Sequence, residues 1–290
     1  AESESLAPAV VAKAASVVRS IRNQLGEQRS AAAFELLIGS TLEAQGHTPI
    51  KKCDPNRLPD VYDPKFINAD ADLASVAAGL KRSKSGRLCL YGPPGTGKTA
   101  YARWLAEHIG VPLIAKRASD LISMWVGETE KNIARAFREA EQEGAVLLLD
   151  EVDSFLQDRR GAQRSWEVTE VNEMLTQMES FSGVFVASTN LMNNLDQAAL
   201  RRFDLKVKFD FLQPGQTDEL LGRYCASINI PEPSPAEFAK ANRLHNLTPG
   251  DFAAVMRQSR FRPFRSCIEF VSALASECTL KENWKLAIGF

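Results

Sequence analysis

Histidine is scarce in this 290-residue chain, with only His47, His108 and His245. Its five cysteines, Cys53, Cys89, Cys225, Cys267 and Cys278, are scattered without a C-x-x-C pair. Together these scarcities argue against a zinc site, and the isolated thiols point to a reducing, cytoplasmic setting. No H-E-x-x-H is present, which excludes zinc-protease chemistry of that type, and no serine or threonine protease signature is evident. Excess charge of one sign is also missing: the formal net charge is -1, with 24% charged residues. That balance gives no global attraction to nucleic acid or to a membrane surface. No apolar run approaches the ~18 residues of a membrane span. The chain starts at Ala1 with no leader pattern, and so reads as excised from a longer protein. Internal repeats and low-complexity tracts are absent.

What remains is an ordinary globular composition, 44% apolar, long enough for one large domain or two smaller ones. Residues 6–25 place Val10, Ala14, Val17, Val18, Ile21 and Leu25 at helical spacing, and a second helical stretch covers about 30–45 behind Ser30. This gives a helical extension over 1–50. The text of 51–69 is rich in Pro and Asp and reads as a linker. Over 70–212, apolar strands alternate with helices: RLCLY (87–91), VPLIAKRA (111–118), AVLLLD (145–150), GVFVAST (183–189) and LKVKFDF (205–211). Continuous apolar runs suit strands covered on both faces, so the pattern predicts a three-layer α/β domain with a mostly parallel sheet. From 213 to 290 the strands stop, and segments near 215–227, 235–243, 250–259 and 265–279 predict a small all-helical domain.

GPPGTGKT, Gly92-Pro93-Pro94-Gly95-Thr96-Gly97-Lys98-Thr99, fits the phosphate loop G-x-x-x-x-G-K-S/T and lies between a strand and a helix. The glycines let backbone N–H groups approach phosphates, Lys98 supplies charge, the Thr99 hydroxyl suits Mg²⁺, and the helix entered through Ala100 adds its positive end. A chance glycine turn is the bland alternative, and the strand-loop-helix context weighs against it. LLLDE then ends a buried strand on Asp150 and Glu151. Phosphoryl transfer to water needs a metal anchor and a group that orients the nucleophile, and these carboxylates suit the two roles in that order. Asn190 ends the next strand at the rim where open α/β sheets bind ligands. Arg201 and Arg202 are either a solvated basic pair at a helix end or guanidinium groups for a phosphoryl transition state.

In this order the elements resemble the AAA family of ATPases, within the AAA+ class. The closest form is a single module of a bacterial-type protein-remodelling or unfoldase ATPase without a protease domain. The phosphate loop and LLLDE are similar to Walker A and Walker B, STN with Asn190 to sensor 1, and Asn190–Asp204 to the second region of homology. The resemblance implies ATP or ADP with Mg²⁺ held by Thr99 and Asp150, catalytic Glu151 and Asn190, and arginine fingers supplied across an ATP-dependent ring, usually a hexamer. Where the family reads L-R-P-G-R-F-D, this chain reads Leu200-Arg201-Arg202-Phe203-Asp204, so either arginine could be the finger that reaches the phosphate. LTPGDF puts Pro249 and Gly250 beside the nucleotide, FINAD puts Asn68 and Ala69 near adenine, and Arg257 is a sensor 2 candidate beside the plainer reading of a surface arginine.

The last signal is SMWVGETE. In AAA unfoldases an aromatic–aliphatic–Gly triplet lines the pore, and Trp125-Val126-Gly127 resembles it. Such side chains can grip an extended polypeptide without demanding a sequence. The alternative buries Trp125 beneath the sheet or in a subunit contact. Arg159, Arg160 and Arg164 fall where the family has a second pore loop, and equally read as an exposed basic loop. The expected function is therefore ATP-driven remodelling of protein substrates, with nucleic acid not expected as a partner. The alternatives are a loader-type, nucleic-acid-dependent ATPase and a low-turnover nucleotide switch.

Overall fold

A computed structural model describes residues 58, 61–125, 127–156 and 165–288, all within one compact unit, Leu58–Phe290. The predicted N-terminal extension, Val126, Arg159, Arg160 and Arg164 lie outside the described residues. A six-stranded sheet forms the centre: β1 (Asn68–Ala69), β2 (Gly86–Tyr91), β3 (Leu113–Arg117), β4 (Val146–Asp150), β5 (Val184–Thr189) and β6 (Leu205–Asp210). Its order is β1-β6-β2-β5-β4-β3. The edge strand β1 is antiparallel to β6, and the other pairings are parallel.

Strand β4 shows how the sequence builds three layers. Successive strand side chains point to opposite faces. Leu147 and Leu149 join Ile133, Phe137, Met174 and Met178 on one side, beneath α4 (Glu128–Glu143) and α5 (Ser165–Ser180). Val146 and Leu148 join Ala77, Tyr101 and Leu105 on the other, beneath α1 (Leu73–Ser83) and α2 (Lys98–Ile109). An uninterrupted apolar run is thus required, and each fully buried Leu or Phe contributes roughly 2 kcal/mol. Short α3 (Ala118–Leu121) follows β3, and α6 (Gln197–Arg202) precedes β6.

Four helices complete the chain: α7 (Pro214–Ser227), α8 (Pro235–Ala241), α9 (Pro249–Gln258) and α10 (Cys267–Ile288). Proline opens the first three, where its missing N–H costs nothing. Their core contains Leu220, Leu221, Tyr224, Phe252 and Phe270, and it also takes in Phe66 from upstream of the sheet. The segment read as a linker therefore differs in its described part. A 3-10 turn at Pro64–Phe66, capped by Asp63, sinks Phe66 into the helical domain, and Ile67 packs on the sheet side. Its proline and aspartates make a tight turn instead of a flexible tether.

Strand order positions the chemistry. β5 lies between β2 and β4, so the carboxyl ends of these three strands emerge side by side, at Tyr91, Thr189 and Asp150. Everything that follows depends on that adjacency, since ligands of open α/β sheets bind outside those ends.

Candidate functional site

After β2 the chain turns through Gly92–Gly97 into α2, so the first N–H groups of α2 and its positive end face outward from the sheet. A cavity of about 350 Å³ opens there. Pro94, Gly95, Gly97, Lys98, Thr99 and Ala100 form its floor, and Asp150, Glu151 and Asn190 its phosphate-side wall. Pro249, Gly250, Ala253, Leu220 and Tyr224 reach it from the helical domain. Thr96 lies deeper: it is buried, and its hydroxyl donates to Pro93 O at 2.8 Å.

Lys98 is only 6% exposed. Its ammonium donates to Gly92 O (2.8 Å), Pro93 O (2.9 Å) and Asn190 Oδ1 (2.8 Å), which explains how Gly92 and Pro93 serve the site through their carbonyls. Burial pulls its pKa down to about 8, against the opposing pull of Asp150 and Asp153. Thr99 Oγ1 donates to Asp150 Oδ2 at 2.8 Å, and Ser188 Oγ donates to the other oxygen, Asp150 Oδ1. Two hard protein oxygens beside a phosphate cradle fit Mg²⁺, which characteristically takes one or two protein ligands and completes its shell with phosphate and water. Among the described residues no group of three or more His, Cys, Asp or Glu is placed to hold a metal.

Glu151 is exposed, and its backbone is left-handed, with φ of 60°. For a non-glycine residue this costs on the order of 1–3 kcal/mol and persists only where the surroundings over-determine it. They do so here. Val152 is fully buried, Phe155 and Leu156 N–H groups bond Val152 O, and Asp153 Oδ1 accepts from Thr189 Oγ1 at 2.7 Å. The Thr189 hydroxyl in turn accepts Leu191 N–H at 2.9 Å, so one hydroxyl ties the turn carrying Glu151 to the turn carrying Asn190. Sequence reading missed Asp153, Ser188 and Thr189. The available signal was that each lies within two residues of a strand-end candidate.

The helical domain touches the phosphate loop directly. Gly250 N–H donates to Gly95 O at 2.9 Å. A Cβ on Gly250 would come within 2.9 Å of Gly95 Cα and O, and one on Gly95 within 2.8 Å of Thr248 Oγ1. The capping carboxylate of Asp251 holds α9 in this position, accepting from Thr248 N, Thr248 Oγ1 and Lys281 Nζ.

One expectation is corrected. Asn68 and Ala69 do not line the cavity: they form the edge strand paired with β6, and Asn68 Nδ2 donates to Phe211 O. Val61, Tyr62, Asp63, Phe66 and Ile67 occupy the place assigned to them. Arg257 is exposed one turn beyond Ala253 and also does not line the cavity, whereas Arg103 of α2 does. The two adjacent arginines of α6 separate clearly. Arg202 pairs with Glu179 at 2.6 Å and donates to Ala198 O, while Arg201 is exposed and makes no hydrogen bond or ion pair among the described residues.

The segment after α3 is built from α4 backwards. Asn132 Nδ2 bonds Leu121 O, Thr129 Oγ1 accepts Ser123 N–H, and Glu128 N–H bonds Trp125 O. These bonds hold the backbone and leave Met124 89% and Trp125 70% exposed. Gly127, with φ of 81°, makes the turn into α4, whose first turn carries Glu128 and Glu130.

Comparison with known proteins agrees with this geometry. Residues 88–211 match the family model described as ATPase family associated with various cellular activities (AAA). The curated "Protein SAV" of Sulfolobus acidocaldarius is 34% identical over 188 residues, covering 62% of this chain and 24% of that relative.

Proposed function

We propose that this chain, whose residues 88–211 match the AAA family model, is a Mg-ATP hydrolase of that family that remodels, unfolds or disassembles protein substrates through the pore of an ATP-dependent ring, hexameric by family habit. Gly95–Ala100 and the first turn of α2 hold the nucleotide phosphates with backbone N–H groups, and Lys98 adds its charge there. Thr99 Oγ1 and Asp150 Oδ2 would hold Mg²⁺, which would neutralise charge on the phosphate oxygens. Glu151 orients the attacking water and takes its proton on a carboxylate oxygen, and Asn190 fixes the geometry opposite. Arg201, exposed and without a partner among the described residues, serves as the finger presented to a neighbouring copy, and Arg202 anchors α6 through Glu179. Val61, Tyr62 and Ile67 with Leu220 and Tyr224 offer the apolar walls an adenine ring needs. Cys89, Cys225 and Cys267 are buried thiols outside any disulfide, in keeping with a reducing cytoplasm.

One observation supports a protein substrate: Met124 and Trp125 project into solvent from a backbone held by α4. A side chain of that size gains nothing from exposure unless something covers it. The test is Trp125→Ala. ATP turnover should stay within about twofold of wild type while threading of a tagged, unfolded protein falls by about tenfold or more. Unchanged threading would remove the loop from substrate contact. Size measurement of Glu151→Gln with and without ATP addresses the ring, and a persistent monomer would refute Arg201 as a finger in trans.

A further inference from the structure

The connection between α9 and α10, Ser259–Ser266, reads SRFRPFRS and plays no part in the nucleotide site. Phe261 is 90% exposed, the most exposed large apolar side chain among the described residues, and Ile268 nearby is 58% exposed. Arg257, Arg260, Arg262 and Arg265 are exposed around it, and none makes a side-chain hydrogen bond or ion pair among the described residues. From Phe252 to Glu277 the sequence holds these four arginines and two carboxylates: Glu269, which accepts the Arg265 backbone N–H, and Glu277, which accepts from Gln258 Nε2. Like charges crowded together repel, so such a cluster is tolerated only at a cost unless an opposite charge answers it.

The loop backbone is held by internal hydrogen bonds. Phe261 N–H and Arg262 N–H both bond Gln258 O, at 3.0 and 2.9 Å, and Arg260 N–H bonds Arg257 O. Phe264 turns inward and meets Phe270 edge-on at 5.4 Å, which pins the loop to the helical core and leaves Phe261 facing out. A preorganised surface binds without first having to be ordered.

We propose that this loop docks an acidic polypeptide segment that carries an apolar side chain. Guanidinium forks match carboxylates in bidentate geometry, and Phe261 supplies the apolar contact between them. Nucleic acid fits less well: affinity for a polyanion grows with a tracked series of phosphate contacts. Here the cations sit on one loop and the helix end before it, in a chain whose net charge is -1.

Fluorescence anisotropy with a labelled Asp/Glu-rich peptide bearing one central leucine tests this, alongside its Lys-rich counterpart and labelled oligo-dT. The acidic peptide should bind, and more weakly as salt rises. Binding should fall about tenfold or more in Arg260→Gln/Arg262→Gln/Arg265→Gln and about fivefold in Phe261→Ala, with melting temperature and ATP turnover unchanged. Failure of the acidic peptide to bind, or equal binding by the variants, overturns the proposal. Tighter binding of oligo-dT assigns the surface to nucleic acid instead. Loss of self-association in the triple-arginine variant, with the peptide ignored, assigns it to a second copy of this chain.

Discussion

Lys98 opens α2 just after the loop that leaves β2, and Trp125 sits in the segment between α3 and α4, yet they live in opposite environments. Lys98 is 6% exposed with its ammonium bonded to three oxygens of its own chain, and Trp125 is 70% exposed on a backbone secured from behind. In the cradle Lys98, Thr99 and Asp150 have their partners within the chain, so their chemistry can be derived residue by residue. In the segment before α4 the backbone is held from within the chain, while the Met124 and Trp125 side chains project into solvent.

Glu151→Gln challenges the cradle side most severely. Turnover should fall by about 10²–10⁴-fold with ATP binding retained, as measured by steady-state hydrolysis and nucleotide titration. Turnover at the wild-type rate would leave Glu151 as a strained turn with no chemical purpose. Next comes Lys98→Met, read as stability of the nucleotide-free protein. Because burial lowers the Lys98 pKa from 10.5 to about 8, the unfolded chain binds the extra proton between those pH values. Wild-type stability therefore rises with pH through that window, and below about 8 the buried charge is a standing cost. The variant should be more stable at pH 7 by up to about 3 kcal/mol, and its advantage should vanish toward pH 10.5. A constant difference across pH would mean that the charge is not the cause.

Thr189→Val removes the hydroxyl linking the turns of Glu151 and Asn190. We expect kcat to drop about tenfold with the ATP KM unchanged, Thr189→Ser to restore it, and Asp153→Asn combined with Thr189→Val to be no worse than the more severe single change. Additive losses would show the two residues acting separately. The smallest effect belongs to the loop: Trp125→Ala should change unfolding free energy by less than about 0.5 kcal/mol in a denaturant titration, since the ring is already in water. A larger loss would mean that Trp125 packs on its own chain after all.

The two regions also differ in how much of them sequence discloses. AVLLLD reveals its strand and both layers above it, because a run apolar at every position has few other places to lie. GPPGTGKT discloses the backbone as well as the side chains, since its glycines demand one local shape. Residues acting at one remove stay hidden: Thr189 and Asp153 are 36 apart in sequence and meet only because β5 lies beside β4. VYDPKF misleads for a related reason. Its Pro and Asp advertise a turn, and whether that turn is tether or wall depends on a helical domain folded from residues about 150 further along. Arg201 and Arg202 look equivalent in the sequence, and only the position of Glu179 tells them apart.

The bond from Gly250 to Gly95 bears on how such a protein can vary. A side chain on Gly250 would need space that Gly95 occupies, and one on Gly95 would meet the Thr248 hydroxyl, so neither site tolerates a change that its neighbour across the junction has not already allowed for. A helical domain transplanted from a relative would carry this restriction with it. An alanine at the junction would push on the loop that cradles the phosphates from a distance of one atom. Chimeras joined near residue 213 should therefore succeed or fail according to a single glycine more than to overall sequence similarity. Inheritance of the two domains is linked at that point by bare backbone.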